Sequence, residues 1–467
     1  MSSAPQLGAP GAVQPTVARR IAFLLLAAVL VPAAIGSPAH AAPGLLRAFG
    51  SEGRGPGQFT LPDGIEVDAA GTIWVADREA NRILRFSNTG KPRPFAPFRR
   101  RHFSKRPGRF HLPYDIDVDG LGNIFVADKR NNRIQMFSPK GRFVRMWGRG
   151  GGNGRSGRRF GEFDEPRGVE VDPFGNVWVA DHQNRRVQKF THEGRFLLSV
   201  GADGGKGGVG TAPGEWNAPR GLSADAAGNV YVADDANHRV VKLSNDGTPL
   251  ASWGRDGGGY DRFGNPRLGT GPGEFNFPYG TAIDPRGHVW VADTRNNRVE
   301  ELTTDGAWVR HWGAHGGDGT AGEGPLEFDE PYNVATDCVG NVYVTDEENH
   351  RVQVIGDPAY GRPVCPPRVT VPEDGLALSQ RRAAVTATCD RACHLSARFT
   401  ITRAGAPKLR LEGRRLDLLR GGTRTIVVAI PAGGEVRRMA VRVTAAGPPG
   451  AKRRLKRSLA AGGGTAY

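Results

Sequence analysis

The 467-residue chain contains 67 glycines and 34 prolines, a composition that favours many turns and excludes a fold of long helices. Its net charge of +16 lies mostly near the C-terminus: residues 44–366 carry 41 basic and 41 acidic side chains, whereas residues 367–467 carry 20 and 6. The neutral middle of the chain lacks the positive excess that nucleic-acid binding needs, so we expect no nucleic-acid partner.

Residues 1–41 have the order of a secretory signal peptide. Arg19 and Arg20 precede an apolar run over 21–35, and Ala39-His40-Ala41 supplies small residues for cleavage after Ala41. A transmembrane anchor is the alternative, but fifteen residues broken by Pro32 are short for a hydrocarbon core of about 30 Å. The sequence therefore predicts export by the general secretory route, to the cell envelope or beyond, without a transmembrane anchor.

The first strand-like segment, LLRAFG (45–50), stands alone before a series of similar units. Six units follow, and each is marked by one proline: Pro62, Pro113, Pro166, Pro219, Pro278 and Pro331. Self-similarity at a period of about 50 residues is typical of propellers and solenoids.

Each unit predicts four antiparallel strands. In the second unit a short strand follows Pro113, a turn at 119–123 leads to a nearly all-apolar strand, and alternating strands end at Phe137 and Gly148. Sheets of this kind leave apolar faces that neighbouring blades must cover, so six units predict a β-propeller. The sixth unit has no fourth strand after Ile355, and we expect LLRAFG to supply it and close the ring. In the first unit the fourth strand is shortened, near 95–98.

These units resemble NHL repeats. The third unit carries the motif as PRGVEVD (166–172), GNVWVAD (175–181) and NRRV (184–187), and the likeness extends from Leu45 to Ile355. The departures are Thr72 for the turn Asn, Asn333 for Gly and Thr345 for Ala. The resemblance implies a six-bladed fold but no single activity, because six-bladed NHL-like propellers include RNA-binding modules, protein-binding modules, an amidating lyase and many exported bacterial proteins.

An Asp–Arg pair brackets the same loop in every unit, as Asp128 and Arg133 do in the second, and this repetition indicates a structural role. A ligand site is expected instead where the units differ and face the central channel. The residue after each marker proline meets both conditions, which makes the candidate ligand-binding residues Asp63, Tyr114, Arg167, Arg220, Tyr279 and Tyr332. We expect the loop residues that follow the second strands to lie on the same face: Arg78, Glu79, Lys129, Arg130, His182, Gln183, Asp235, Thr294, Arg295, Glu347 and Glu348. A merely solvated rim is the alternative.

No nucleophile or metalloprotease motif occurs, and the eleven histidines do not assemble a metal site by their spacing. The sequence thus predicts no catalytic residue, metal or cofactor, and favours a module that binds protein, peptide or carbohydrate. A propeller lyase or hydrolase with an unrecognised metal site is the alternative, because the lyase relatives hold a metal with several histidines around the channel.

The repeats occupy 42–366, and residues 367–449 alternate at strand length as in a small β-sandwich-like domain, similar in style to accessory modules of exported actinobacterial proteins. Residues 450–467 are expected to be a basic disordered tail, and this basic region could hold the protein on an anionic envelope polymer. An exported chain with four cysteines predicts two disulfides, with Cys338–Cys365 and Cys389–Cys393 as the spacing suggests. A zinc site is the competing interpretation of these cysteines.

Overall fold

The computed structural model describes residues 43–95, 103–120, 122–257 and 267–356 with their side chains, and nine later strands by their backbone alone. The predicted signal peptide, residues 1–41, and Cys365 lie outside the described residues. A search of the described residues finds no helix with the length and hydropathy that membrane crossing requires.

Six antiparallel sheets follow one another along residues 43–356. The first strands are β2 (Pro62–Val67), β5 (Pro113–Val118), β9 (Pro166–Val171), β13 (Pro219–Ala224), β17 (Pro278–Ile283) and β21 (Pro331–Thr336). The second strands are β3 (Ile73–Asp77), β6 (Ile124–Asp128), β10 (Val177–Asp181), β14 (Val230–Asp234), β18 (His288–Asp293) and β22 (Val342–Asp346). The third strands are β4 (Arg82–Phe86), β7 (Arg133–Phe137), β11 (Arg186–Phe190), β15 (Arg239–Leu243), β19 (Arg298–Thr303) and β23 (Arg351–Gly356).

Fourth strands complete blades two to five: β8 (Phe143–Gly148), β12 (Phe196–Val200), β16 (Pro249–Trp253) and β20 (Trp308–Gly313). The first strands of neighbouring blades contact one another in a closed ring, from β2 through β5, β9, β13 and β17 to β21 and back to β2. The fold is therefore the predicted all-β, six-bladed propeller, with the first strands around the central axis.

The hydrophobic core lies between blades. Nearly every residue of the second strands is buried, as in Val177–Asp181, because each sheet is covered on both faces by its neighbours. One cluster joins Val352 and Val354 of the sixth blade to Ile73 and Val75 of the first. This packing explains why the second strands have no polar alternation in the sequence.

The N-terminal strand closes the ring as predicted. Strand β1 (Gly44–Phe49) pairs antiparallel with β23, and Leu45 lies opposite Ile355 and Phe49 opposite Val352. Leu46 and Phe49 pack against the cluster between blades six and one. The last blade thus takes its outer strand from the beginning of the folded chain, and its edge is covered.

In blade one the described residues form three strands, and the fourth strand expected near 95–98 falls mostly outside them. Pro92 bridges Phe86, and the Arg93 amide donates to the Arg85 carbonyl at 2.7 Å. Prolines have no amide hydrogen to extend a ladder, and the chain instead places the Phe95 ring edge-on to Trp74, with 5.3 Å between centroids. Residues 96–102 lie outside the described residues.

The helical segments are single turns beside the strands. They are α1 (Arg149–Gly152), α2 (Ala202–Gly205) and the 3₁₀ turns Lys129–Asn131, His182–Asn184, Asp235–Asn237, Arg255–Gly257, Thr294–Asn296 and Ala314–Gly316. Four of the 3₁₀ turns directly follow a second strand and therefore shape the loops on one face of the propeller.

The C-terminal region contains two sheets. One is formed by β24 (Val369–Thr370), β25 (Leu376–Leu378), β26 (Arg382–Cys389) and β30 (Gly422–Ala429). The other is formed by β27 (Cys393–Arg403), β28 (Ala406–Glu412), β29 (Leu416–Leu418), β31 (Val436–Ala446) and β32 (Lys452–Ala460).

The strand β32 pairs with β31 along its whole length, so the expectation of a disordered tail from residue 450 is wrong for 452–460. Cys338 is disulfide-bonded, and both predicted pairings stay predictions.

Candidate functional site

The Asp–Arg pair is structural in all six blades. The distance between the arginine Nε and the aspartate Oδ2 is 2.7–3.0 Å throughout. In blade two, Arg133 also donates to the carbonyls of Lys105 and Arg109, at 2.8 and 2.9 Å. The pair ties the loop before each first strand to the end of the second strand, as the repetition predicted.

The six candidate positions converge on the propeller axis. Tyr114, Tyr279 and Tyr332 form a buried cluster, and the ring centroid of Tyr332 lies 5.6 Å from that of Tyr114 and 4.8 Å from that of Tyr279. The hydroxyls of Tyr332 and Tyr114 contact each other. These tyrosines pack on one another instead of standing apart around an open mouth, which the sequence did not indicate.

Arg220 holds this tyrosine plug together. Its Nη1 donates to the hydroxyls of Tyr332 and Tyr114 at 2.7 and 3.1 Å, and its guanidinium carbon lies 3.6 Å from the Tyr279 ring centroid. Asp235 forms an ion pair with its Nε. Four groups of the protein thus engage Arg220, and we assign it a positioning role.

The loop residues after the second strands split into two groups. The first residue of each loop is buried around the plug: Lys129, His182, Asp235, Thr294 and Glu347, with Arg78 half-buried. The second residue is mostly exposed, as are Glu79, Arg130, Gln183, Arg295 and Glu348. The sequence placed both groups on one face without separating them.

Arg78 joins two buried carboxylates. Its Nη2 donates to Glu347 at 2.6 Å, and its Nε lies 3.3 Å from the Asp63 carboxylate. Burial raises the pKa of Asp63 well above its usual range, although Arg78 opposes the shift. Burial likewise raises the pKa of Glu347 to about 7. Both carboxyls therefore keep their protons to a higher pH than usual, which reduces the negative charge on this side of the mouth near neutral pH.

Two cations, Lys129 and Arg167, lie close together on the Tyr114 ring. Lys129 Nζ and the Arg167 guanidinium carbon are 4.8 and 5.0 Å from its centroid. Burial first, and then Arg167, lowers the pKa of Lys129 to about 8. Cations over an aromatic face are stabilised by its quadrupole, but they repel each other.

Two residues adjacent in sequence to plug tyrosines also contact each other between blades. One residue directly follows each candidate position. In four blades it is a glycine, namely Gly64, Gly168, Gly221 and Gly280, and in the other two it is Asp115 and Asn333. The Asn333 amide donates to Asp115 at 3.2 Å, between blades six and two. The departure of Asn333 from the repeat pattern thus has a partner that sequence comparison of the units did not reveal.

One group with metal-ligand chemistry escaped the sequence analysis. Ligand atoms of Asp284, His288 and Glu301 lie within 4.8 Å of one another on blade five. Arg286 Nη2 lies 2.5 Å from Asp284, and Arg310 Nε lies 3.1 Å from Glu301. These guanidinium groups already neutralise both carboxylates, so the donor set fits an ion-pair network better than a divalent cation.

The NHL repeat family model matches three segments of the propeller, residues 217–243, 275–301 and 328–355. The chain contains NHL repeats. The three matched repeats are blades four, five and six, and the same strand order and Asp–Arg pair extend the pattern to the other blades.

Curated relatives are similar to part of the chain. The chain is 31% identical over 211 residues to "NHL repeat-containing protein 3" of Mus musculus, a match that covers 42% of this chain and 54% of that protein. It is 35% identical over 152 residues to "Peptidyl-glycine alpha-amidating monooxygenase A" of Xenopus laevis, covering 31% and 16%. The chain therefore spans only about half, or less, of the length of these relatives.

Among solved structures, one titled "Streptogramin B lyase structure" is similar, with a TM-score of 0.42, 16% identity and coverage of 67% of this chain and 98% of that one. At this identity the likeness concerns the propeller fold and carries no information about the chemistry of the NHL-repeat ring described above.

Proposed function

We propose that the chain is an exported binding module whose NHL-repeat propeller takes a protein, peptide or carbohydrate ligand on the tyrosine-plugged end of its axis. Export rests on the signal-like residues 1–41, and the envelope or the extracellular space is the proposed location.

The observation that carries this proposal is the contrast between two kinds of position. Groups present in every blade, such as Arg133 with Asp128, make their ion pairs and hydrogen bonds within their own blade. The blade-specific groups after the marker prolines meet one another across different blades and combine aromatic rings with charges. Tyrosine and arginine are the residues that most often anchor ligands in protein interfaces.

An enzyme is the second candidate, because a relative is named an amidating monooxygenase. His182 is the one histidine among the described residues of the mouth, and burial lowers its pKa to about 2. Its Nδ1 lies 3.2 Å from the Pro219 carbonyl oxygen. One imidazole engaged in this way offers fewer donors than the three protein ligands of a catalytic zinc site, which favours the binding module.

The proposal is tested by a thermal-shift screen of the full chain against defined oligosaccharides and peptides, followed by calorimetric titration of each hit. We expect Tyr279→Ala to weaken binding of a genuine hit by at least about tenfold, since the ring lies in the plug. Leu250→Ala, on an exposed outer strand, serves as the control and should leave the affinity unchanged.

Equal affinities in both variants would place the ligand elsewhere. Stoichiometric zinc or calcium in the purified protein, measured by elemental analysis, would favour the lyase or hydrolase instead.

A further inference from the structure

Three of the four buried or half-buried cations at the mouth have a carboxylate partner. Arg78 lies 3.3 Å from Asp63, Arg220 contacts Asp235, and Lys129 Nζ lies 3.6 Å from Glu165. Arg167 has no ion pair within the described part of the chain. Its Nε is buried there without a hydrogen-bond partner.

The reason lies in the loop of its own blade. Blade four supplies Asp235 beside Arg220, but blade three supplies His182 at the equivalent position. Burial, together with Arg167 and Arg220, keeps the imidazole of His182 neutral by lowering its pKa to about 2. Arg167 therefore lacks the direct ion pair that Arg220 makes with Asp235, and the charge of Asp235 attracts it only from a greater distance.

The surrounding sector adds positive charge. Lys129 lies on the same Tyr114 ring as Arg167, and Glu165 is shared between Lys129 and Arg130, whose Nη1 lies 2.5 Å from it. Blades two and three thus present three cations and one carboxylate at the mouth. Like charges held this close cost free energy unless an anion lies between them.

We propose that Arg167 and Lys129 together bind a carboxylate group of the ligand above the Tyr114 ring. This inference rests on the proposed function, since it assigns the chemistry of the same binding surface. A guanidinium presents paired N–H donors that match the two oxygens of a carboxylate, and the ammonium supplies a further donor. A single negative charge offsets the unpaired charge of Arg167.

Two ligand sources carry this group: the C-terminus of a peptide and the uronic acid of a polysaccharide. The peptide arm of the test compares N-acetyl-trialanine with its C-terminal amide. The sugar arm compares glucuronate with glucose, and both arms use calorimetric titration of the full chain at low ionic strength, where charge pairing is least screened.

We expect one carboxylate probe to bind and its neutral counterpart to bind at least about tenfold more weakly. Arg167→Gln should reduce the affinity for that probe by at least about tenfold, and Lys129→Gln by a smaller factor. Arg295→Gln is the matched control, because Arg295 is an exposed arginine on the same face that pairs with Glu330, and it should leave the affinity unchanged.

Arg167→Gln should also fold with a melting temperature close to that of the unsubstituted protein, because the loss of its contact with the Tyr114 ring is offset by the loss of its repulsion from Lys129. Equal binding of acid and neutral probes, binding insensitive to Arg167→Gln, or no binding of either acid at millimolar concentration would overturn the carboxylate assignment. In each case a ligand whose affinity still depends on Tyr279 would leave the proposed binding function standing.

Discussion

At the scale of single residues, several charged groups of the mouth are buried away from water. Asp63 is fully buried, and Glu347 is nearly so. Both carboxyls depend on Arg78, which lies within 3.3 Å of each. Burial outweighs this attraction, which is why the pKa of each carboxyl is raised rather than lowered.

The pKa of Glu347, about 7, makes stability depend on pH. The unfolded carboxyl titrates near about pH 4.3, so the folded chain binds more protons than the unfolded chain between that pH and the folded pKa. The free energy of unfolding therefore falls as the pH rises through this window. We expect Glu347→Gln to flatten the decline of the melting temperature between about pH 5 and about pH 8 by about 1–3 °C.

Differential scanning calorimetry across this pH range measures the effect. Glu348→Gln alters the exposed neighbour in the same loop and should leave the decline as it is in the unsubstituted protein. An identical slope in both variants would show that Glu347 is not the group responsible.

At the scale of elements, the most consequential strand is the first one. β1 covers an edge of the sixth blade and part of the core between blades six and one. An uncovered edge would expose both unpaired amide groups and apolar side chains at the one place where the ring joins its two ends.

Deleting residues 42–50 should therefore lower the melting temperature by about 10 °C, because the core cluster around Val352 becomes exposed. Leu46→Asp should act in the same direction, since Leu46 packs against that cluster. Thermal unfolding followed by circular dichroism measures both changes. Ala48→Ser, at an exposed position of the same strand, should shift the midpoint by less than about 1 °C.

A melting temperature unchanged by the deletion would mean that the ring is closed without the strand. Blade one provides a useful internal comparison, because its described residues form three strands, and the proline-containing segment after β4 adds the bridge between Phe86 and Pro92 and the hydrogen bond from Arg93 to Arg85. Local sequence, here the prolines at 92 and 94, decides whether a blade can complete its ladder.

At the scale of the whole molecule, charge is divided between regions. The propeller residues 44–366 are neutral overall, whereas residues 367–467 carry a net +14. We propose that this second region attracts anionic polymers of the envelope by long-range electrostatics, independently of the channel mouth.

Replacing Arg453, Arg454 and Arg457 together by Gln should lower the salt concentration at which the full chain elutes from a polyglutamate-coated resin. Fewer positive charges then attract the resin, so less salt is needed to screen the attraction. Replacing Arg142, Arg155 and Arg195, three exposed arginines of the propeller, should have a clearly smaller effect. Equal elution shifts would assign the attraction to net charge alone rather than to the C-terminal region.

Much of the architecture followed from the sequence by itself. Six marker prolines, a buried second strand in each unit and a sixth unit without an outer strand predicted both the blade count and the closing role of LLRAFG. These features are local or strictly repeated. They can therefore be recognised from hydrophobic alternation and from the repeat itself, without knowledge of how the blades pack. The same repetition predicted that residues after the prolines would meet at the axis.

Only the tertiary structure decided what those residues do when they meet. The contact between Tyr114 and Tyr332 joins residues 218 positions apart, and the pairing of Asp115 with Asn333 spans the same separation. Whether the arginine at this position forms an ion pair depends on the neighbouring loop. The loop of blade four supplies Asp235 to Arg220, whereas the loop of blade three supplies His182. Burial and charge pairing among different blades arise only after the ring has formed, and therefore leave no periodic trace in the sequence.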